Sequence, residues 1–318
     1  MKRINNFQIL FHKELRDNLK SWKFIILLFL ILGTSYAAIY GAFIALTTSN
    51  STSLVGTVDS YFFLKLFLSS DGTVPSFYIL VGFLAPLLGL TLGFDAINTE
   101  FNNRTISKLL AQPIYRDHII LTKLLSRIFI IAVIYIAIIL SAIGFIILKT
   151  GLFPSTQEVV RLFFFYLLIV TYLGLWLNLA VLFSVIFKQP ATAAILGITI
   201  WIFYLFLYPM LLNVVGKLVN PGPYANQYQI LAYQEFMLTV MRFSPTQLFE
   251  DGTSIILSPL ARSINPIANN QFVGAIPNPL SIKASIQIVW SQLSALIALS
   301  ALCFAACYWL FMRKEIRA

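Results

Sequence analysis

Residues 162–187 read LFFFYLLIVTYLGLWLNLAVLFSVIF, a run of 26 without a single charged side chain. As a helix at 1.5 Å per residue it would extend about 39 Å, more than the roughly 30 Å hydrocarbon core of a bilayer. Its few polar groups, Thr171, Asn178 and Ser184, can be satisfied by the helix backbone or by neighbouring helices. Working outward from this run, five others of similar character appear, approximately Phe24 to Leu46, Phe77 to Phe94, Ile128 to Leu148, Ala191 to Val215 and Ala284 to Met312. Of the 318 residues, 59% are apolar and 11% charged, against about 25% charged in ordinary globular proteins. A folded body of this composition lacks the polar surface to face water, which excludes a soluble domain. The reading is an all-α membrane protein with six transmembrane helices.

Lysine and arginine are retained on the cytoplasmic side of a membrane, so their distribution orients the spans. Fifteen of the 22 fall on one side: Lys2, Arg3, Lys13, Arg16, Lys20 and Lys23 before the first span, Arg104, Lys108, Arg116, Lys123 and Arg127 after the second, Lys188 after the fourth, and Arg313, Lys314 and Arg317 in the tail. The other loops hold seven, four of them in one long loop where the rule is weak. Both termini are therefore expected in the cytoplasm. Topology accounts for the basic excess, so nucleic acid is not expected as a partner. The first run starts at residue 24, is too long for a removable leader and is taken as retained. Cys303 and Cys307 stand four apart in the last run, a spacing a helix cannot bridge without distortion, and read as small buried hydrophobes.

The chain divides accordingly. Residues 1–23 place Ile4, Phe7, Phe11, Leu15, Leu19 and Trp22 on one face, with Lys13, Glu14, Arg16, Asp17 and Lys20 between them, which predicts an amphipathic helix lying among lipid head groups. Residues 24–215 carry spans one to five, with a cytoplasmic loop at 95–127. Residues 216–283, with seven of the 13 prolines and an apolar patch at Ile230, Leu231, Phe236, Met237 and Leu238, form an extracytoplasmic loop expected to hold short helices on the outer ends of the spans. Residues 284–318 carry span six and the tail.

No Asp, Glu, Lys, Arg or His falls within the six runs, so the carboxylate and histidine relays of ion-driven carriers are not expected. The two histidines, His12 and His118, lie in cytoplasmic segments, and His118 reads as a solvated side chain. There is no H-E-x-x-H zinc motif and no G-x-x-x-x-G-K-[ST] phosphate loop. No catalytic residue, metal or cofactor is expected in this chain. Such a membrane protein is either a passive pore or borrows its energy from a partner.

The stretch from Asp95 to Lys123 reads DAINTEFNNRTISKLLAQPIYRDHIILTK. Ile106, Leu109 and Leu110 make an apolar stripe, Pro113 ends the first short helix, and Ile119, Ile120 and Leu124 begin a second that leads into span three. A charged bend with an apolar stripe suits docking to a soluble protein, although a plain interfacial loop would look similar. The segment resembles the signature loop of ABC-2 type transporter permeases, roughly Glu-x-Glu-x-Gly-Thr-Leu-x-x-Leu-Leu, then Pro, Arg and Gly-Lys. Glu100, Thr105, Leu109, Leu110, Pro113, Arg116 and Lys123 fall on matching positions; Asn102, Arg104, Ile106 and Thr122 depart from it. Arg104 replaces the glycine before the threonine, which is expected to tighten or alter the turn there.

The resemblance implies the ABC-2, type V exporter-like fold and a permease that pairs with a second copy or a paralogue. Two ABC ATPase subunits would bind Mg-ATP and dock against Glu100, Arg104, Thr105, Leu109, Leu110, Pro113 and Arg116. It also implies a multi-pass protein of a prokaryotic plasma membrane that exports a peptide, drug, lipid or similar substrate. Trp201, Phe203, Tyr204 and Tyr208 on span five, ahead of a kink at Pro209, are candidates for lining or gating the path, and equally read as lipid-facing aromatics. Alternatives are a mechanical or regulatory permease acting on an extracytoplasmic partner, and a passive pore.

Overall fold

The computed structural model describes residues 6–52, 61–105, 115–222, 226–259 and 280–314. Among them, six helices are long and apolar enough to cross a membrane: Trp22–Thr48, Phe77–Asn102, Arg116–Thr150, Thr156–Ile186, Pro190–Val219 and Ile282–Arg313. No strand occurs among the described residues. We number the elements α1 (Asn6–Leu19), α2 (Trp22–Thr52, span one), α3 (Phe62–Leu68), α4 (Phe77–Gly93, span two), α5 (Asn98–Asn102), α6 (Arg116–Thr150, span three), α7 (Thr156–Ile186, span four), α8 (Pro190–Ile202) and α9 (Tyr208–Val219), which together make span five, α10 (Gln227–Met241), α11 (Pro245–Leu257) and α12 (Ile282–Arg313, span six).

Span four is the axis of the bundle: α7 packs against α4, α6, α8, α11 and α12. Its side chains Phe165, Tyr172 and Trp176 are almost wholly buried. The approach of span two to span four depends on two glycines four residues apart. A Cβ at Gly89 would lie 2.9 Å from Leu177 N, and one at Gly93 would lie 2.5 Å from the Ala180 Cβ. Small residues at this spacing let two helix backbones close on each other in lipid, where no hydrophobic force draws helices together. Polar side chains add links between spans: Asn178 Nδ2 donates to Ser300 Oγ at 2.8 Å, and Tyr36 and Ser141 share a hydroxyl hydrogen bond of 2.9 Å. Spans five and six are mostly exposed, presenting Ile195, Phe206, Met210, Leu302 and others outward.

The helices are longer than the uncharged runs, and the added turns carry buried charge. The hydroxyl of Ser155 caps α7, and Glu158 completes a capping box with it. Glu158 also accepts the Phe63 N–H at 3.0 Å, which ties α3 to span four. Arg161, counted in sequence among the loop charges, is 2% exposed. It donates to Ile256 O at 3.0 Å, Ser285 Oγ at 3.1 Å and Leu280 O at 2.6 Å. It thus clamps the last turn of α11, whose carbonyls have no helical partners, to the start of span six.

Residues between spans five and six turn back into the bundle. The α9 and α10 helices lie side by side, with Tyr233 Oη donating to Gly216 O at 3.1 Å and Tyr208 Oη to Val240 O. The chain then reverses at Phe243 and Ser244, and α11 wedges between spans four and six. Phe249 stacks on Tyr172 with centroids 4.6 Å apart, and Tyr172 Oη donates to Gly82 O at 3.0 Å. Ionisable groups therefore do reach the interior of the bundle. The six uncharged runs do not supply them; Glu250 and Asp251 arrive on α11, a helix too short and too polar to be counted as a span.

Candidate functional site

At the basic end of the bundle, α6, the end of span four, the loop after it and the end of span six meet around the one-and-a-half-turn helix α5. The backbone N–H groups of Ile97 and Asn98 both donate to Ser184 Oγ, at 2.9 and 3.1 Å, which holds the start of α5 against the last turn of span four. Asn102 Nδ2 donates to Lys188 O at 3.0 Å in the loop between spans four and five. From the tail, Lys314 lies over the Phe101 ring at 4.6 Å and donates to Val185 O at 2.7 Å. Lys23, at the start of span one, pairs with Asp95 at 3.1 Å.

The centre of this junction is Lys123, on the first turns of α6. Its ammonium bridges two carboxylates, Glu100 Oε1 at 2.7 Å and Glu14 Oε1 at 2.9 Å, and its side chain is 4% exposed. Arg127, one turn on, donates to Lys123 O at 2.9 Å and stands 3.8 Å from Glu14 Oε2. Burial pushes the Glu14 carboxyl up, but Lys123 and Arg127 outweigh it and hold the group below its ordinary value of 4.5. The charged cluster thus fastens three elements: α1, α5 and the base of span three.

Glu14 turns α1 toward the protein. The stripe expected to lie wholly in lipid instead divides. Phe7, Phe11 and Leu15 flank Glu14 on the face against α6, with Phe11 and Phe129 rings 5.9 Å apart, while Ile9, Leu19 and Trp22 stay exposed. The helix is amphipathic, but its inner face is organised by an ion pair that binary patterning does not register. His118, expected to be solvated, is half-buried between the Phe7 and Tyr115 rings at 5.7 and 5.5 Å.

The residues singled out from the sequence separate by direction. Glu100 faces inward onto Lys123, and its second oxygen is buried without a hydrogen-bond partner among the described residues. Arg104 is exposed and takes φ 55°, a left-handed conformation that favours glycine. The glycine's turn is therefore kept although arginine occupies it, and Thr105 Oγ1 closes it by donating to Glu100 O at 3.2 Å. Arg116 opens α6 and is half exposed. Leu109, Leu110 and Pro113 lie outside the described residues, as does Ile106. The inward partners Glu14, Lys123 and Arg127 were not read from sequence as one site. The only hint was that Lys123 matches a position of the resemblance.

On span five, Trp201 packs edge-on to Phe83 of span two at 5.3 Å. Residues Phe203–Leu207 form a π-helical turn directly ahead of Tyr208 and Pro209. Such a turn re-satisfies backbone groups that a proline disrupts. It groups Phe203, Tyr204 and Tyr208, with the Tyr204 and Tyr208 rings 5.7 Å apart, while Phe203 also reaches the outer face of the span.

Six helices able to cross a membrane, with an amphipathic helix and a charged junction at one end, define a polytopic membrane protein. The description "ABC-2 family transporter protein" matches residues 8–316, nearly the entire chain, and the protein belongs to that family. None of the curated proteins compared with it is significantly similar.

Proposed function

We propose that the chain is the permease of an ATP-driven exporter and that the Asn98–Arg116 region is its coupling element. One observation carries this reading: α6, the end of span four and the tail fasten onto the short helix α5, five residues long, through Lys123, Ser184 and Lys314, and α1 joins them through Glu14, which shares Lys123. A push on α5 is thereby delivered to spans one, three, four and six together. Arg104 and Arg116, the cations among the region's described residues that are not buried, are groups that meet an ABC ATPase subunit. A second permease copy or paralogue covers part of the exposed face of spans five and six, and lipid covers the rest. Mg-ATP is bound by the partner, and the membrane is a prokaryotic plasma membrane with the basic end inward.

The test is affinity purification of the tagged chain in mild detergent, with identification of co-eluting subunits. A stoichiometric subunit bearing a phosphate loop is expected, and it should be lost when Arg104→Glu and Arg116→Glu are combined. A folded chain that repeatedly elutes alone overturns the reading.

A further inference from the structure

Two cavities flank the turn between α10 and α11, and both use Tyr204 as a wall. The first is a mostly apolar groove of about 670 Å³ between spans four, five and six, lined by Trp176, Leu179, Ile200, Leu299 and Leu302 among others, with Arg242 as its one charged lining residue. It lies on the outward-facing side of span six, where Leu302 is 66% exposed. The second holds about 210 Å³ and is polar: Asn213, Ser244, Thr246, Gln247 and Glu250 line it together with the rings of Tyr204 and Tyr208.

Three observations define what fits. Glu250 makes no ion pair or hydrogen bond among the described residues. The cation closest in sequence, Arg242, stands 3.9 Å from Asp251 instead. Among the described residues the carboxyl of the polar cavity thus lacks a counter-ion, burial and the neighbouring Asp251 disfavour its charged form, and a bound cation, drawn also by the two tyrosine rings beside it, is what would keep it ionised. The second observation is extent. From Ile200 in the groove to Asn213 in the polar cavity the helix rises about 20 Å, comparable to the roughly 15 Å of one leaflet's hydrocarbon. The third is direction: the polar cavity lies toward the end opposite the basic junction, and the groove runs from there toward the middle of the bundle.

We propose that the two cavities form one site for an amphiphile carrying an ammonium group, its head against Glu250 and its hydrocarbon tail in the groove. The ligand lies as a lipid of the outer leaflet lies, and Tyr204 contacts the junction of head and tail. That this ligand is the exported cargo rests on the exporter reading; its binding to the chain does not, and binding is tested without any ATPase.

The full chain, with Trp22, Trp201, Trp290 and Trp309 replaced by phenylalanine so that Trp176 alone reports, is titrated in nanodiscs of a neutral glycolipid with an alkyltrimethylammonium probe brominated at its tail end, whose bromine quenches Trp176 in the groove. Saturable quenching is expected with the ammonium probe and with a brominated alkyl maltoside, and much weaker quenching with the matching alkyl sulfate. Glu250→Gln should raise the half-saturation of the ammonium probe about tenfold, the scale of a charge-assisted contact, and leave the maltoside unchanged. Ala298→Phe, which fills the groove, should abolish quenching by all probes. Equal binding of the sulfate and ammonium probes to the chain with Glu250 in place, or an unchanged ammonium titration in a folded Glu250→Gln protein, overturns the proposal. Failure of the exporter reading would appear separately, as a chain that binds the probe but recruits no ATPase.

Discussion

Lys123 shows how a single residue can hold a junction together. A lysine 3% exposed is tolerable only because two carboxylates, from positions 109 and 23 residues away, neutralise it. Breaking such a group by removing one partner costs about 3–5 kcal/mol, because the remaining charges stay buried and unpaired. Lys123→Met should therefore lower the thermal unfolding midpoint of the purified chain sharply, by several degrees. Combining it with Glu100→Gln alone should restore part of the loss, since Glu14 keeps Arg127 at 3.8 Å and neither is left without an opposite charge. A double variant as unstable as the single one would mean that Lys123 acts through packing and not through charge. Arg104 illustrates the opposite case, a residue out of keeping with its backbone. Its φ of 55° shows that the turn before Thr105 is imposed by its surroundings, since arginine has no preference of its own for that region.

The spans themselves were legible in the sequence because lipid demands long uncharged helices and leaves little choice in how they look. Their pairing was less legible. Gly89 and Gly93 carry a readable signal, small residues four apart within an apolar span, but nothing in span two names Leu177 and Ala180 as their partners. Gly93→Ala places a methyl 2.5 Å from the Ala180 Cβ and 3.0 Å from Leu177 O, so the helices must separate. The expected cost is about 1–3 kcal/mol, the usual price of overpacking, read as a lower unfolding midpoint. Ala180→Gly in the same chain should recover part of it by vacating the nearer contact. If the double variant is no better than Gly93→Ala alone, the close approach is not what limits span packing. A short helix was expected in this stretch, but the burial of α11 between the spans was illegible, for a different reason. Gln247, Glu250 and Asp251 give residues 245–257 the composition of a loop, and only the surrounding spans supply the burial that makes it an interior helix. The junction around α5 was half legible: its outward residues follow a recognisable pattern, whereas Glu14 is separated from Lys123 by a sequence distance that no local periodicity spans.

At the scale of the whole molecule, the fold pairs a charged junction at one end with a cavity for an amphiphile near the other, and the value of that pairing depends on which end faces the cytoplasm. In sequence, fifteen of the 22 basic residues fall in the segments expected on the junction side, and the proposed orientation, junction inward, rests on that count. The consequence is mechanical. ATP-driven force would enter at Arg104 and Arg116, pass through Lys123 and Ser184 into spans three and four, and reach α11, which packs directly on span four through Phe249 and Tyr172. Inverted, the same molecule would present its coupling cations to a compartment without ATP, and the exporter reading would lose its source of energy. Two exposed sites decide between the orientations: Ser70 on the loop before span two, and Asn103 beside α5. In a background with Cys303 and Cys307 replaced by alanine, Ser70→Cys should react with a membrane-impermeant maleimide in intact cells. Asn103→Cys should react only after lysis. The reverse pattern would place the junction outside, and with it would fall both the docking of an ATPase at α5 and the outer-leaflet alignment of the ligand beside Glu250.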